Sequence, residues 1–421
     1  MDVIIALLQL IRANFDGIVD FTAIMQGALR GMVESLRDPY SAYYDPVQLH
    51  DLLESVEGRF GGIGVVIEVI DGAVTVITPL AGTPAVAAGL LPADIILSVD
   101  GRNLTGMTLP QVSRLIRGEP GTTVRLTIFR PSTGERFDVE LTRALIAPSV
   151  LEVKELGQGM YYISISQFTE ETGRSFAIIA RHLAASGNGV VLDLRNNPGG
   201  LLNSTLEATG ALVPAGPLLH VVRLDGDQIT FFGQGAGLDL PLVVLINEGT
   251  ASGAEIVAAA VQDYGTGVLV GTPSFGKGTV QDIFLLEDQG GVKLTVARFL
   301  TPKGHPMEGK GVTPDIHVEG PPPVPIPLLP VAVVDSASPA HRVAPLQQAL
   351  RMLGHYHGAM HGIYDDETRR AVCLYQEVND LPVTGIMDTD ALVRLNVELV
   401  ANSGDAQLIR AIGILRQLMD R

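Results

Sequence analysis

Leu242-Val243-Val244-Leu245-Ile246-Asn247-Glu248-Gly249-Thr250-Ala251-Ser252-Gly253-Ala254-Glu255-Ile256 changes character within fifteen residues. The apolar run Leu242–Ile246 predicts a buried strand. The glycine-rich turn after it gives way to a helix over Gly253–Gln262. Ser252 stands at the join. Serine followed three residues later by glutamate is a capping box, and on this motif alone capping is the simpler role. A hydroxyl at a helix start also gains from the positive end of the helix dipole, so capping and chemistry are compatible there.

A second glycine-rich turn follows another apolar run: Gly271-Thr272-Pro273-Ser274-Phe275-Gly276-Lys277-Gly278-Thr279-Val280-Gln281. A serine hydroxyl is a weak nucleophile until a base takes its proton. A buried lysine can be that base, because desolvation favours the neutral amine. Lys277 also ends a phosphate-loop-like spacing, Gly271 to Gly276-Lys277. That spacing fails at Gly278, where magnesium binding needs serine or threonine, and Thr279–Leu286 predicts a strand in place of a helix. Nucleotide chemistry is therefore set aside.

Outward from these turns, residues 150–320 alternate strands with helices. Strands are predicted at Tyr161–Ile165, Val190–Leu194, Val268–Val270, Val280–Leu286 and Val292–Arg298, with a helix over Glu170–Ala185. Such alternation predicts a sheet with helices packed on it. Residues 56–145 are richer in short β runs, Gly64–Ile70, Ala73–Ile77, Ile95–Val99, Val124–Phe129 and Phe137–Leu141, with turns at Asp71-Gly72 and Asp100-Gly101 and a helix over Leu109–Ile116. Residues 1–55 read as helical, ending near Leu36 before Asp38-Pro39. Pro321-Pro322-Pro323 opens a proline-rich spacer over 321–342. Helices follow at Val343–Leu353, Asp366–Val378 and Thr389–Leu395. The segment 405–421 carries Leu408, Ile412, Leu415 and Met419 on one face, as a packing element or a partner interface.

With 421 residues, 46% hydrophobic and 18% charged, the chain can bury several cores. Its net charge of −17 argues against nucleic acid as a partner. The lone Cys373 allows no internal disulfide and reads as core packing. Val3–Ile11 is too short to span a bilayer and lacks a basic lead or a cleavage signal, so no export signal is visible and an upstream piece is expected to be missing. His305 reads as a surface turn. His355, His357 and His361 are spaced loosely enough to line a turn or groove, and no metal is expected. Asp193 and Arg195 end a buried strand and are expected to support the loop that follows.

Six segments resemble, in order, those of the C-terminal processing peptidases, or tail-specific proteases: Gly31–Ser41, Gly58–Gly64, Leu192–Gly200, the serine turn, the lysine turn and Gly309–Asp315. The resemblance implies a crotonase-like α/β serine protease core and a Ser–Lys pair supported by a glutamine, which fall on Ser252, Lys277 and Gln281. Lys277 and Gln281 are four apart, on one side of either a strand or a helix. The chain departs from the family at Thr250, where serine is frequent, and at Gly253, where alanine is usual. Acyl transfer also needs donors for an oxyanion. The backbone of Gly199 and Gly200, with the Gly253 N–H, is the expected hole.

Residues 60–145 resemble a PDZ domain, with Gly62-Ile63-Gly64-Val65 as the loop that binds a chain's C-terminal carboxylate while the peptide adds as a strand. Residues 343–395 resemble a three-helix peptidoglycan-binding module, on Leu346-Gln347, Gly362-Ile363-Tyr364-Asp365, Tyr375-Gln376 and Leu381–Gly385. The expected architecture is thus multidomain, α/β and α+β: a helical region 1–55, a PDZ domain 56–145, a catalytic core 146–320, a linker 321–342, a wall-binding module 343–400 and an amphipathic helix 401–421. The implied function is a cofactor-free serine endopeptidase that captures protein C-termini, works outside the bacterial membrane at the cell wall, and forms a homodimer. A silent PDZ scaffold and a cell-wall hydrolase are the alternatives.

Overall fold

The computed structural model describes residues 2–70, 72–80, 82–286, 290–320 and 326–420. Asp71 of the expected Asp71-Gly72 turn and Pro321-Pro322-Pro323 of the expected spacer lie outside them. In chain order, α1 (Asp2–Asn14), α2 (Phe21–Glu34), β1 (Ala42–Tyr44) and α3 (Pro46–Glu57) lead into β2 (Phe60–Gly62), β3 (Val65–Ile70), β4 (Ala73–Pro79), α4 (Pro84–Ala87), β5 (Ile95–Val99), β6 (Arg102–Asn103), α5 (Leu109–Ile116), β7 (Thr123–Arg130), β8 (Glu135–Thr142) and β9 (Ala144–Ile146). Next come β10 (Leu151–Glu155), β11 (Met160–Ile165), α6 (Thr172–Ser186), β12 (Gly189–Asp193), α7 (Leu202–Leu212), β13 (Pro214–Arg223), β14 (Gln228–Ala236), β15 (Leu242–Ile246), α8 (Gly253–Tyr264), β16 (Val268–Gly271), β17 (Thr279–Leu286), β18 (Gly290–Leu300) and β19 (Ile316–His317). Four helices close the chain: α9 (Ala340–Met352), α10 (Asp366–Val378), α11 (Thr389–Asn402) and α12 (Ala406–Met419). None of the described helices is long and apolar enough to cross a membrane.

Two compact units result. The smaller comprises Met1–Leu53, Val221–Gln228 and Thr279–Phe299. Within it β1 pairs antiparallel with β18, Tyr43 opposite Val292. β17 pairs with the other edge of β18, with a shift of register between Val280 and Gln281. The short strand β1 corrects the helical reading of this region. Asp38 and Ser41 explain it: the Ser41 hydroxyl donates to Asp38 Oδ2 and accepts the Thr295 N–H at 3.1 Å, pinning the turn that delivers Ala42 to β18.

The larger unit holds the remaining segments. Its central sheet runs β10-β11-β12-β15-β16-β19, antiparallel at β10/β11 and parallel elsewhere. Every residue of β12 and β15 is buried. Continuous apolar runs such as Leu242–Ile246 are what a parallel strand covered on both faces requires. On one face Val191, Val243, Leu245 and Val270 share a core with Leu408, Ala411 and Leu415 of α12. That core continues through Leu329 and Val334 into Val343, Leu346, Leu350, Leu392 and Leu395. The segment expected to be an extended spacer thus enters the core at Leu328, Leu329 and Val334, and α12 is a packing element of the central sheet. Burying one leucine such as Leu415 contributes about 1.5–3 kcal/mol. Helices α9–α11 thus share one core with the central sheet and α12.

A second sheet in this unit runs β3-β4-β5-β7-β8, with β3 at its edge, and α5 packs against it around Val112 and Ile116. β2 and β9, which flank this sheet in the chain, pair antiparallel with Phe60 opposite Ile146.

Candidate active site

Three loops leave the carboxyl ends of the neighbouring parallel strands β12, β15 and β16, the edge where open α/β sheets place ligands. They carry residues 194–200, 247–252 and 272–278. Ser252 precedes α8 with φ 53° and ψ −116°, backbone that a non-glycine residue adopts at a cost of about 1–3 kcal/mol. Asn196 shares positive φ, at 57°. Strain at such positions persists only where the surroundings over-determine it.

Those surroundings are visible. Thr250, fully buried, donates its hydroxyl to the Leu194 carbonyl at 2.8 Å and accepts the Asn247 N–H at 3.0 Å. Asn247 Oδ1 accepts the Asn196 N–H at 2.8 Å, and the Asn197 carbonyl accepts the Ala251 N–H at 2.9 Å. The loops after β12 and β15 are thereby stitched together immediately before Ser252.

Glu255 does the same for the loops after β15 and β16. Its side chain is 0% exposed. Oε2 accepts the Ser252 N–H and the Lys277 N–H, each at 2.8 Å. Since both amide nitrogens lie 2.8 Å from one atom, no more than twice that separates them. Oε1 accepts the Gly276 N–H at 2.7 Å and the Ser274 hydroxyl at 2.5 Å. Ser274 Oγ also accepts the Val312 N–H at 2.7 Å, and the Gly276 carbonyl accepts the Gly309 N–H at 2.8 Å. The Gly309–Asp315 segment thus braces the lysine turn. Sequence reasoning gave Glu255 only a cap, and the glutamate half of that box is formed, Oε2 accepting the Ser252 N–H, while the Ser252 side chain makes no cap hydrogen bond. Its larger task left one trace: a charge inside a helix whose residues 253–261 are all buried, which must find partners.

Of the expected oxyanion glycines, Gly199 and Gly253 sit beside Ser252, and Gly200 packs against the Phe168 backbone. A Cβ on Gly199 (φ 97°) would come 2.9 Å from the Ser252 Cβ and 2.7 Å from the Gly253 nitrogen. Only glycine permits that approach. The Gly199 N–H is already donated to Asn197 Oδ1 at 2.8 Å. Gly200 lies in the same turn, and Gly253 supplies the first amide of α8, one of those without a partner inside the helix. Lys277 is half-buried. Gln281 belongs to the smaller unit, on β17 opposite Thr295 at the register shift, where its Nε2 donates to Thr279 Oγ1 at 2.9 Å.

Gly62, Ile63, Gly64 and Val65 line a cavity of about 70 Å³ with Phe60, with Ser113 and Ile116 of α5, and with Arg117, which caps that helix. Gly64 has φ 74°, and its carbonyl accepts the Leu80 N–H at 2.9 Å. The Arg117 guanidinium lies 3.8 Å from the Phe60 ring centre, over its face. His305 is an exposed turn residue. His361 pairs with Asp365 at 3.2 Å and His355 stands edge-on to Tyr375.

Comparison with known proteins gives four matches along the chain. A model of peptidase family S41 matches residues 159–318, a PDZ-domain model 75–130, a peptidoglycan-binding domain model 340–395, and a model of the activating protease CtpB N-terminal domain 2–47. The carboxy-terminal processing protease CtpA of Bacillus subtilis (strain 168) is 32% identical over 415 residues, covering 97% of this chain and 89% of that protein. CtpB of the same organism is 33% identical over 414 residues, covering 96% and 86%. Among solved structures, the photosystem II D1 C-terminal processing protease is similar at 31% identity and a TM-score of 0.46, over 72% of this chain and 84% of that one. The chain belongs to the carboxy-terminal processing proteases, serine peptidases of family S41, and carries a PDZ domain and a peptidoglycan-binding domain beside the peptidase domain.

Proposed function

We propose that the chain is an endopeptidase with Ser252 as nucleophile and Lys277 as general base. The observation that carries this reading is the shared carboxylate oxygen of Glu255, which holds the backbones of both residues together at the carboxyl edge of the sheet. Ser252 Oγ attacks the scissile carbonyl while the Lys277 amine takes its proton and later passes it to the leaving amine. Water then hydrolyses the acyl-enzyme. The resemblance gives Gln281 the task of orienting the amine. Gly200 and Gly253 are the better-placed oxyanion donors, since Gly199 must first give up Asn197. No cofactor or metal takes part in these steps.

Substrate choice falls to the PDZ domain. The edge of β3 is open to an added strand, and the 62–65 loop with Arg117 beside it suits a terminal carboxylate. The match to a peptidoglycan-binding module supports a site of action at the wall of a bacterium, outside the membrane. Exposed apolar residues on α1 and α2, among them Leu7, Leu10 and Met25, favour a homodimer through this region. The borders proposed for these parts are those at 55/56, 145/146, 320/321, 342/343 and 400/401.

Tagged peptides ending in small apolar residues, incubated with wild type and Ser252→Ala and read by mass spectrometry, test the proposal. Wild type should cut them and Ser252→Ala should not, while losing at most about 1 kcal/mol of stability as a cap. Cleavage at the wild-type rate by Ser252→Ala would return the serine to capping. Muropeptide release without protein cleavage would favour a wall hydrolase.

A further inference from the structure

We propose that Asp405, which lies outside both the peptidase and the peptidoglycan-binding matches, is a positioning residue for the oxyanion loop 196–200. The inference rests on the reading of Ser252 and its neighbouring glycines given above. Asp405 caps α12, its Oδ1 accepting the Leu408 N–H at 2.9 Å. The same carboxylate grips Arg195. Arg195 Nη1 donates to Asp405 Oδ1 at 2.9 Å and to Gln407 Oε1 at 3.1 Å, and Nη2 lies 2.9 Å from Asp405 Oδ2. From the other side Asp193 takes Arg195 Nε at 2.9 Å and Nη2 at 2.6 Å, and Asp193 in turn accepts the Tyr162 hydroxyl at 2.8 Å. Asp193, Arg195, Asp405 and Gln407 are all less than a tenth exposed.

Arg195 is the residue from which the loop departs. On its two flanks the main chain is tied to the nucleophile turn, through the Leu194 carbonyl to Thr250 and the Asn196 N–H to Asn247. Its side chain is tied to α12. A network this deeply buried is a poor source of net stability, because desolvating the charges consumes most of what their attraction returns. Burial opposes the Arg195 charge, and the two carboxylates outweigh it, holding the guanidinium above its ordinary range. A cavity of about 240 Å³, lined by Lys154, Tyr162, Ser164, Asp193, Arg195 and Asp405 among others, adjoins the network. Arg195 therefore has space to shift, and charge, more than packing, fixes where it stands. Asp405 follows α11 of the wall-binding module by three residues, so the last helix of that module leads directly to the residue that sets the loop.

Asp405→Asn in the full chain tests this. Asparagine is as good an N-cap as aspartate, so α12 keeps its start while Arg195 loses one of its two counter-charges. The readouts are kcat and KM on a tagged peptide, the Ki of a peptide boronate, and the melting temperature. Boron accepts the Ser252 oxygen, the serine proton passes to the base, and the tetrahedral anion formed occupies the oxyanion site. We expect kcat to fall about tenfold and the boronate Ki to rise about as much, short of the ~100-fold that loss of a whole oxyanion donor costs. KM should stay within about twofold. Gln407→Leu, which spares the cap and both charges, should shift kcat and Ki the same way by less. Unchanged kcat and boronate affinity with only a lower melting temperature would overturn the inference and leave the Ser252 reading intact. A wild type that cleaves peptide yet shows no boronate inhibition, with Ser252→Ala still active, would overturn both.

Discussion

Glu255→Gln removes a charge without removing volume, at a site where four donors converge. The Ser252 and Lys277 amides point at one carboxylate oxygen, and the Gly276 amide and Ser274 hydroxyl at the other. A glutamine offers one oxygen and one NH2. The cheaper orientation turns the NH2 toward Ser274, whose hydroxyl can rotate and accept, and strands the Gly276 N–H. A stranded buried amide costs about 1–3 kcal/mol. The two remaining bonds change from charged to neutral acceptors, about 1 kcal/mol each. The total is about 3–5 kcal/mol, which for a unit as large as the one holding Glu255 lowers the melting temperature by roughly 4–7 °C. The kinetic effect is separate. Both candidate catalytic residues lose their common anchor, and a misplacement near 1 Å can cost about 100-fold. Peptide cleavage measured well below the melting transition should show kcat reduced on that order with KM nearly unchanged, since the PDZ cavity shares no residue with Glu255. A variant that melts early but retains wild-type kcat would refute the claim that this carboxylate sets the site's geometry.

Two further outcomes follow from named groups. A lysine base works only as the neutral amine, so kcat/KM should rise with pH along a single ionisation that Lys277→Ala abolishes together with activity; a flat profile from acid to alkaline pH would contradict the assignment. Burial pushes the Asp365 carboxyl up, but the Thr368 N–H and hydroxyl and His361 outweigh it and hold it below the usual range. A depressed carboxyl stabilises the fold fully above its unfolded value, near 3.9, and that contribution disappears as pH falls through the folded value. Protection of the α10 amides relative to their intrinsic exchange rates should therefore fall below about pH 4, and Asp365→Asn, which keeps the N-cap, should flatten that dependence.

What was legible in the sequence was what repeats locally. Leu242–Ile246 and Leu109–Ile116 form where their apolar spacing puts them, because a strand buried on both faces and an amphipathic helix each write burial into consecutive residues. The join at Ser252 was legible for the same reason. Edge strands were not: β10 mixes Glu152 and Lys154 with apolar residues, and β19 is two residues long. Nor were the contacts that order the site. Glu255 binds three backbone amides, two of them more than twenty residues along the chain, and backbone amides look alike in any sequence. The grip of Asp405 on Arg195 spans 210 residues and depends on α12 returning to the sheet after the wall-binding helices. The amphipathic face of 405–421 showed that it would pack, and not against what. Proline content suggested an extended spacer, yet Leu328, Leu329 and Val334 lie in the core that α12 shares with the sheet.

The most direct measurement is covalent labelling with a fluorophosphonate, followed by peptide mapping of the adduct by mass spectrometry. One phosphonyl group on Ser252, lost in Ser252→Ala and slowed in Lys277→Ala, is the predicted result. An adduct on another residue, or continuing cleavage by a protein whose Ser252 never reacts, would contradict the account.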